Sequence, residues 1–211
     1  TVYANGPLAV HTAQGIAIHA LVETGAGPVE LLAGADVIMS PAGRIQTNGA
    51  QVEIVADGRL LMSDGAVVET GAGSIRVSAD EGLGVGRLVS ATLVSLTSAS
   101  GAIQDAGNTG GADIETPLLA LRAADGIGVG DPLETRVETI AADNRGSGGI
   151  QIVNEGLLVI GTVEGLAGMT NHGNGALVVT NEGDILVSDP VLNVGGGDTS
   201  MTANGGTLAV Q

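Results

Sequence analysis

The chain has 211 residues, 36 of them Gly, with no Phe, no Trp, no Cys and one Tyr, Tyr3. Seven Arg and no Lys stand against 23 acidic residues, a formal net charge of −16. That composition excludes a core built on aromatic rings, disulfide or thiolate-metal chemistry, and a surface attractive to nucleic acid phosphates.

Any core must come from Val, Ile, Leu, Ala and Met, which suits thin stacked layers better than a thick globule. No run approaches the roughly 20 apolar residues that span a bilayer, so membrane insertion is not expected. The chain opens at Thr1 and TVYANGPLAV enters a strand almost at once. A processed product or an excised part of a longer chain is the expectation.

From residue 21 to residue 80 a strict repeat takes over. VELLAGADVIMSPAGRIQTNGA (29 to 50) aligns without gaps on VEIVADGRLLMSDGAVVETGAG (52 to 73) at an offset of 23. Val29 falls on Val52, Leu31 on Ile54, Ala33 on Ala56, Val37 on Leu60 and Met39 on Met62, and a third layer continues as Ile75, Val77 and Ala79. VETGAG at 22 to 27 returns at 68 to 73, with IQTNGA between them, giving a Thr24, Thr47, Thr70 ladder and a Gly25, Asn48, Gly71 turn ladder. Gln46 separates Glu23 from Glu69, which keeps two carboxylates about 10 Å apart.

Short alternating apolar runs bounded by Gly, Asn and Asp read as strands, and helical spacing is sustained nowhere. A coil of about 23 residues whose strands pair with their equivalents one coil on makes like residues stack. The predicted fold is therefore all-β: a right-handed, single-stranded parallel β-helix of about nine coils of roughly 23 residues, one solenoid over residues 1–211.

From 81 to 211 the coils loosen. LVSLTSASGAI (93 to 103) matches LLALRAADGIG (118 to 128) at an offset of 25, and VNEGLLV (153 to 159) matches TNEGDIL (180 to 186) at 27. Residues 161 to 175 read as an enlarged corner. GTLAVQ (206 to 211) is a strand with no polar cap, so both ends offer unpaired backbone for further coils, in a longer chain or in identical subunits stacked head to tail.

The segments GAIQDAG (101 to 107), ADIETPLLALRAADGIG (112 to 128), DPLETRVETIAADN (131 to 144) and SGGIQIVNEGLLVIG (147 to 161) resemble long secreted bacterial surface proteins of the filamentous-haemagglutinin-like and β-strand-repeat kind. LLAGADVIMS and VETGAG are similar to the same group. The resemblance implies export by a Gram-negative cell, a right-handed β-helix, and a role in adhesion, biofilm or surface filaments. It supplies no catalytic residue.

The leading functional expectation is thus a structural or adhesive rod and not an enzyme. The alternative is a polysaccharide-binding or polysaccharide-cleaving β-helix, which needs clustered carboxylates and Arg; here both are scattered in sequence. No cofactor is expected. The weak calcium candidates are Asp57 and Asp80, in register at 23, and Glu182 and Asp184, flanking one turn. GGADI (110 to 114) and GGGDTS (195 to 200) are isolated fragments of a calcium-roll pattern. His11, His19 and His172 lack metal-site spacing, with His11 and His19 open to a shared orientation on neighbouring strands. With Val29, Leu31, Val37 and Met39 inward, Leu32 and Val55, and Ile38 and Leu61, point outward. These are candidates for lateral contact between rods, or for cover by a loop or corner.

Overall fold

The computed structural model describes residues 1–107 and 111–211, and every regular element in it is a β-strand. Parallel strands stack into a β-solenoid of about nine turns, about 22 residues apart. At one strand spacing of about 4.8 Å per turn the stack is roughly 40 Å long.

The early coils are triangular. Face I carries Val2–Ala4, Leu21–Thr24, Arg44–Thr47, Val67–Glu69 and Arg87–Val89. Face II carries Leu8–Thr12, Val29–Ala33, Val52–Ala56, Ile75–Ala79 and Leu93–Ser98. Face III carries Ile16–Ile18, Val37–Met39, Arg59–Met62, Gly82–Val85 and Ile103–Asp105.

The 23-residue offset is the observed register of the strict region: Val29 pairs with Val52 and Ile54 with Val77. Outside it the offset varies with corner length. Leu8 pairs with Val29, 21 residues on, and Ile75 with Val94, 19 on. Leu93 does pair with Leu118 and Val153 with Thr180, at the offsets of 25 and 27 read from sequence.

The cross-section changes along the rod. Ile114–Ala123 and Leu133–Asn144 each run through faces I and II without a break, and Ile150–Glu155, Leu177–Glu182 and Thr199–Asn204 run from face III into face I. Corners absorb residues or straighten, while the inward columns stay in register. Val29, Val52, Ile75, Val94, Leu119 and Ile140 form one such column and are all fully buried. Repeating one aliphatic side chain per layer replaces the large rings of an ordinary core.

Polar ladders close the corners from inside. Thr24 and Thr70 are buried and donate to the Gly27 and Gly73 carbonyls at 2.5 Å, and Thr47 donates likewise to Ala50. The hydroxyl thereby satisfies a turn carbonyl that the narrow core would strand. A Cβ on Gly73 would collide with the Ala50 carbonyl oxygen below it, so the tight stacking of this corner requires glycine there. In later coils Asn takes over. Asn144 donates to Asn171, which donates to Asn193 (2.7 and 2.9 Å), and Asn154 donates to Asn181 (2.8 Å).

Residues 161 to 175 differ from the expected plain corner. Thr162–Val163 and Leu166–Ala167 form an antiparallel hairpin inserted into face II, after which Met169–Asn171 resumes the parallel stack. The hairpin folds back over the outward column Ser95, Ala120, Ala141, and Val163 and Leu166 pack on Leu93, Ala120 and Ala141. Small side chains leave the depression that receives it. At its tip Glu164, with a positive φ of 51°, meets Arg76 in a bidentate pair at 2.6 and 2.7 Å, and its carbonyl accepts from Arg122 at 3.2 Å. The Arg76 bond holds the Glu164 carboxyl below its ordinary range, and Arg76 is raised in turn. Glu164→Gln is expected to shift Tm by no more than about 2 °C, since the pair is partly solvated. Amide exchange across 162–167 should rise roughly threefold or more. Unchanged exchange in a hydrogen-deuterium measurement would show that apolar packing alone holds the hairpin.

Candidate binding surfaces

The outward columns decide what the rod presents to solvent. On face I two of them run side by side. One reads Glu69, Val89, Glu115, Arg136, Glu155, Glu182, and the other reads Val67, Arg87, Asp113, Glu134, Val153. Stacking alternates charge where it can. Arg87 donates to Glu115 at 2.5 Å, and Arg136 bridges Glu115 at 3.3 Å and Glu155 at 2.7 Å. Glu155 above all, with Glu115, raises the Arg136 pKa.

Where faces I and II fuse, the corner becomes a groove of about 920 Å³. Gly71, Ala91, Pro117 and Glu138 follow one another along its floor, one per coil, as continuation of the paired register requires, and Leu157 follows in the next coil, where the offset changes from 19 at Thr135 to 20 at Thr139. Small residues and a proline leave the floor low. The Glu115–Arg136–Glu155 chain forms one wall, and Thr139 and Val159 form the other. Glu138 is exposed and makes no ion pair among the described residues. The arrangement brings Arg and carboxylates together as a lyase would. An arginine base must lose its proton, however, and Arg136 is held protonated from both sides.

A second feature lies where the connectors from face III return to face I. Asp105, Asp113 and Glu134 place carboxylate oxygens within 4.8 Å of one another. Asp113 is 3% exposed and its Oδ2 accepts the Glu134 amide at 3.0 Å, while Asp105 Oδ1 accepts from Gly107 at 2.8 Å. Burial, followed by the charge of Asp105, pushes Asp113 up to about 9, and burial also raises Asp105. Its burial and the Asp105 carboxylate beside it keep Asp113 protonated at neutral pH. These residues are also the ones that could hold a divalent cation, although hard cations require more oxygens than three. Sequence reading missed them because they come from separate coils. Asp113 and Glu134 are 21 residues apart and Asp105 belongs to another face. The one signal was the GGADI fragment, of which Gly110 lies outside the described residues.

The calcium candidates named from sequence do not converge on that trio. Asp57 and Asp80 stack at the corner after Ala56 and Ala79 and are exposed, as their register predicts. Glu182 accepts from Asn204 and Asp184 from the Thr207 amide, both at 2.7 Å, so each is tied to the next coil. His11 lies 3.4 Å from Glu30, His172 lies 3.7 Å from Asp143, and His19 is exposed beyond a face III strand, so His11 and His19 do not meet.

Of the lateral-contact candidates, Leu32 and Val55 are adjacent and half-buried in a shallow hollow of face II beside His11 and Asp57. Ile38 and Leu61 are adjacent on face III, 42% and 39% exposed. The four residues therefore make two separate patches on different faces.

Among the described residues no helix is long and apolar enough to cross a membrane. Comparison with protein-family models, with curated proteins and with solved structures finds no match to this chain, so fold and surface chemistry alone carry the functional reading.

Proposed function

We propose that this chain is a structural or adhesive rod segment of an extracellular bacterial surface protein or filament, lengthened by further β-structure pairing on its open coil edges. What supports the reading is the behaviour of the inward columns. Leu158, Ile185 and Leu208 occupy one column with exposures of 0%, 1% and 43%. Ile160, Val187 and Val210 occupy the next, at 0%, 6% and 73%. Each column passes from coil to coil without a polar side chain, which is the continuous apolar core that a rod requires. Stacking of identical subunits head to tail is the form of this proposal that can be tested directly.

Concentrated protein viewed by electron microscopy should form filaments with an axial repeat of roughly 40 Å, nine strand spacings. Val210→Asp should abolish them while leaving the coil signature in circular dichroism. A monodisperse monomer at every concentration in sedimentation would defeat the stacking form. The polysaccharide alternative would use the fused-corner groove. Release of oligosaccharides from an acidic polysaccharide would favour it over the rod.

A further inference from the structure

The groove along the fused corner of faces I and II has a length, an apolar floor and a charge that together describe a ligand. Its floor runs over five coils, from Gly71 through Ala91, Pro117 and Glu138 to Leu157. Four spacings of about 4.8 Å make about 19 Å, the span of five or six extended residues. The floor is apolar on both sides of Glu138, with Pro117 one coil before it and Leu157, 57% exposed, one coil after. Both guanidiniums of the adjoining wall are committed to Glu115 and Glu155, which leaves the Glu138 carboxylate as the uncompensated charge in the trough.

We propose that this groove docks an extended peptide segment of another protein, with a basic side chain on Glu138 and apolar side chains on Pro117 and Leu157. An extended chain lying along the groove directs every second side chain to the floor, about 6.6 Å apart, so a basic residue over Glu138 sets its two neighbours just beyond Pro117 and Leu157, which lie about 4.8 Å to either side. The recognised pattern is therefore apolar-x-basic-x-apolar. Arginine or lysine supplies the charge that the groove lacks. Sugars are the poorer fit, because no aromatic platform lines the trough and the one Tyr of the chain, Tyr3, lies in the first coil. Nucleic acid would face a groove lined by three carboxylates, Glu115, Glu138 and Glu155, and one guanidinium, Arg136. The proposal does not depend on end-to-end stacking, which uses the coil edges and not this flank.

The test is titration of the whole chain with the labelled, end-capped pentapeptide Leu-Ser-Lys-Ser-Leu and its Lys-to-Glu counterpart. Saturable binding with a Kd on the order of 0.1 to 1 mM is expected for the basic peptide, at least tenfold weaker for the acidic one. Glu138→Gln and Leu157→Ser should each weaken the basic peptide threefold or more. Both positions are exposed, and the peptide swap tests the same point on unaltered protein. Absence of saturation up to about 5 mM would overturn the proposal, as would equal affinity for the two peptides or a Kd untouched by Glu138→Gln. Displacement of the peptide by an equal concentration of spermidine would also overturn it, by reducing recognition to charge alone.

Discussion

Asn171→Ala is expected to lower stability by about 3 kcal/mol and Tm by roughly 6 to 12 °C. Asn171 is fully buried. Its Oδ1 accepts from Asn144 at 2.7 Å and from the Gly173 amide at 3.2 Å, while its Nδ2 donates to the Gly175 carbonyl and to Asn193, both at 2.9 Å. Truncation to Ala removes all of these and leaves turn groups of the corner dry and unpaired, where each orphan costs about 1–3 kcal/mol. Asn174→Ala, three residues on and exposed, is the control and should be within about 0.5 kcal/mol of the parent. Because coils contact only their neighbours, the loss should appear first as early exchange of amides in Leu177–Glu182 and Thr199–Asn204. A thermal melt superimposable on the parent's would refute the view that the amide ladder supports the carboxy-terminal coils.

The second large effect is on pH dependence. In the folded chain Asp113 is pushed up to about 9, whereas an unfolded aspartate titrates near 3.9. Between those values the folded state binds one proton more than the unfolded state, so folding stability falls as pH rises across the window. The parent should lose stability steadily between pH 5 and pH 9, by at most about 5 kcal/mol for one proton over four pH units, with the neighbouring Asp105 raised in the same direction. The formal net charge of −16 acts in the same direction through self-repulsion, so the parent's slope alone does not isolate the trio. Asp113→Asn does. The amide oxygen keeps the bond from the Glu134 N–H, the ionisable proton is gone, and the slope should fall by at least half, with a higher Tm at pH 8.5 than the parent. Equal slopes for the two proteins in denaturant titrations would mean that Asp113 ionises freely in the fold.

The strands and their register were legible from 21 to 80 because one offset repeats there and identical side chains fall on each other. Met39 on Met62 and Gln46 between two glutamates are pairings that sequence alone specified. The surface features were not legible, and for a common reason. The hairpin at 162–167 is Gly-flanked and short, so it reads as a corner until the small column Ser95, Ala120, Ala141 is known to lie beneath it. The groove exists because two coils straighten a corner that the strict repeat keeps bent, with Pro117 in the middle of one continuous strand. The acidic trio joins residues whose spacing depends on connector lengths. Periodicity reports what repeats, and these sites arise where the repeat is broken.

The hairpin also sets how the rod responds to tension. Pulled from its carboxy-terminal end, a stack of coils peels one layer at a time, each release needing only its own strand contacts. At residues 161–168 the peeling front meets a clasp anchored on Arg76, several layers further back. Force applied there is spread over the intervening layers instead of one, so the segment up to Arg76 yields together or holds.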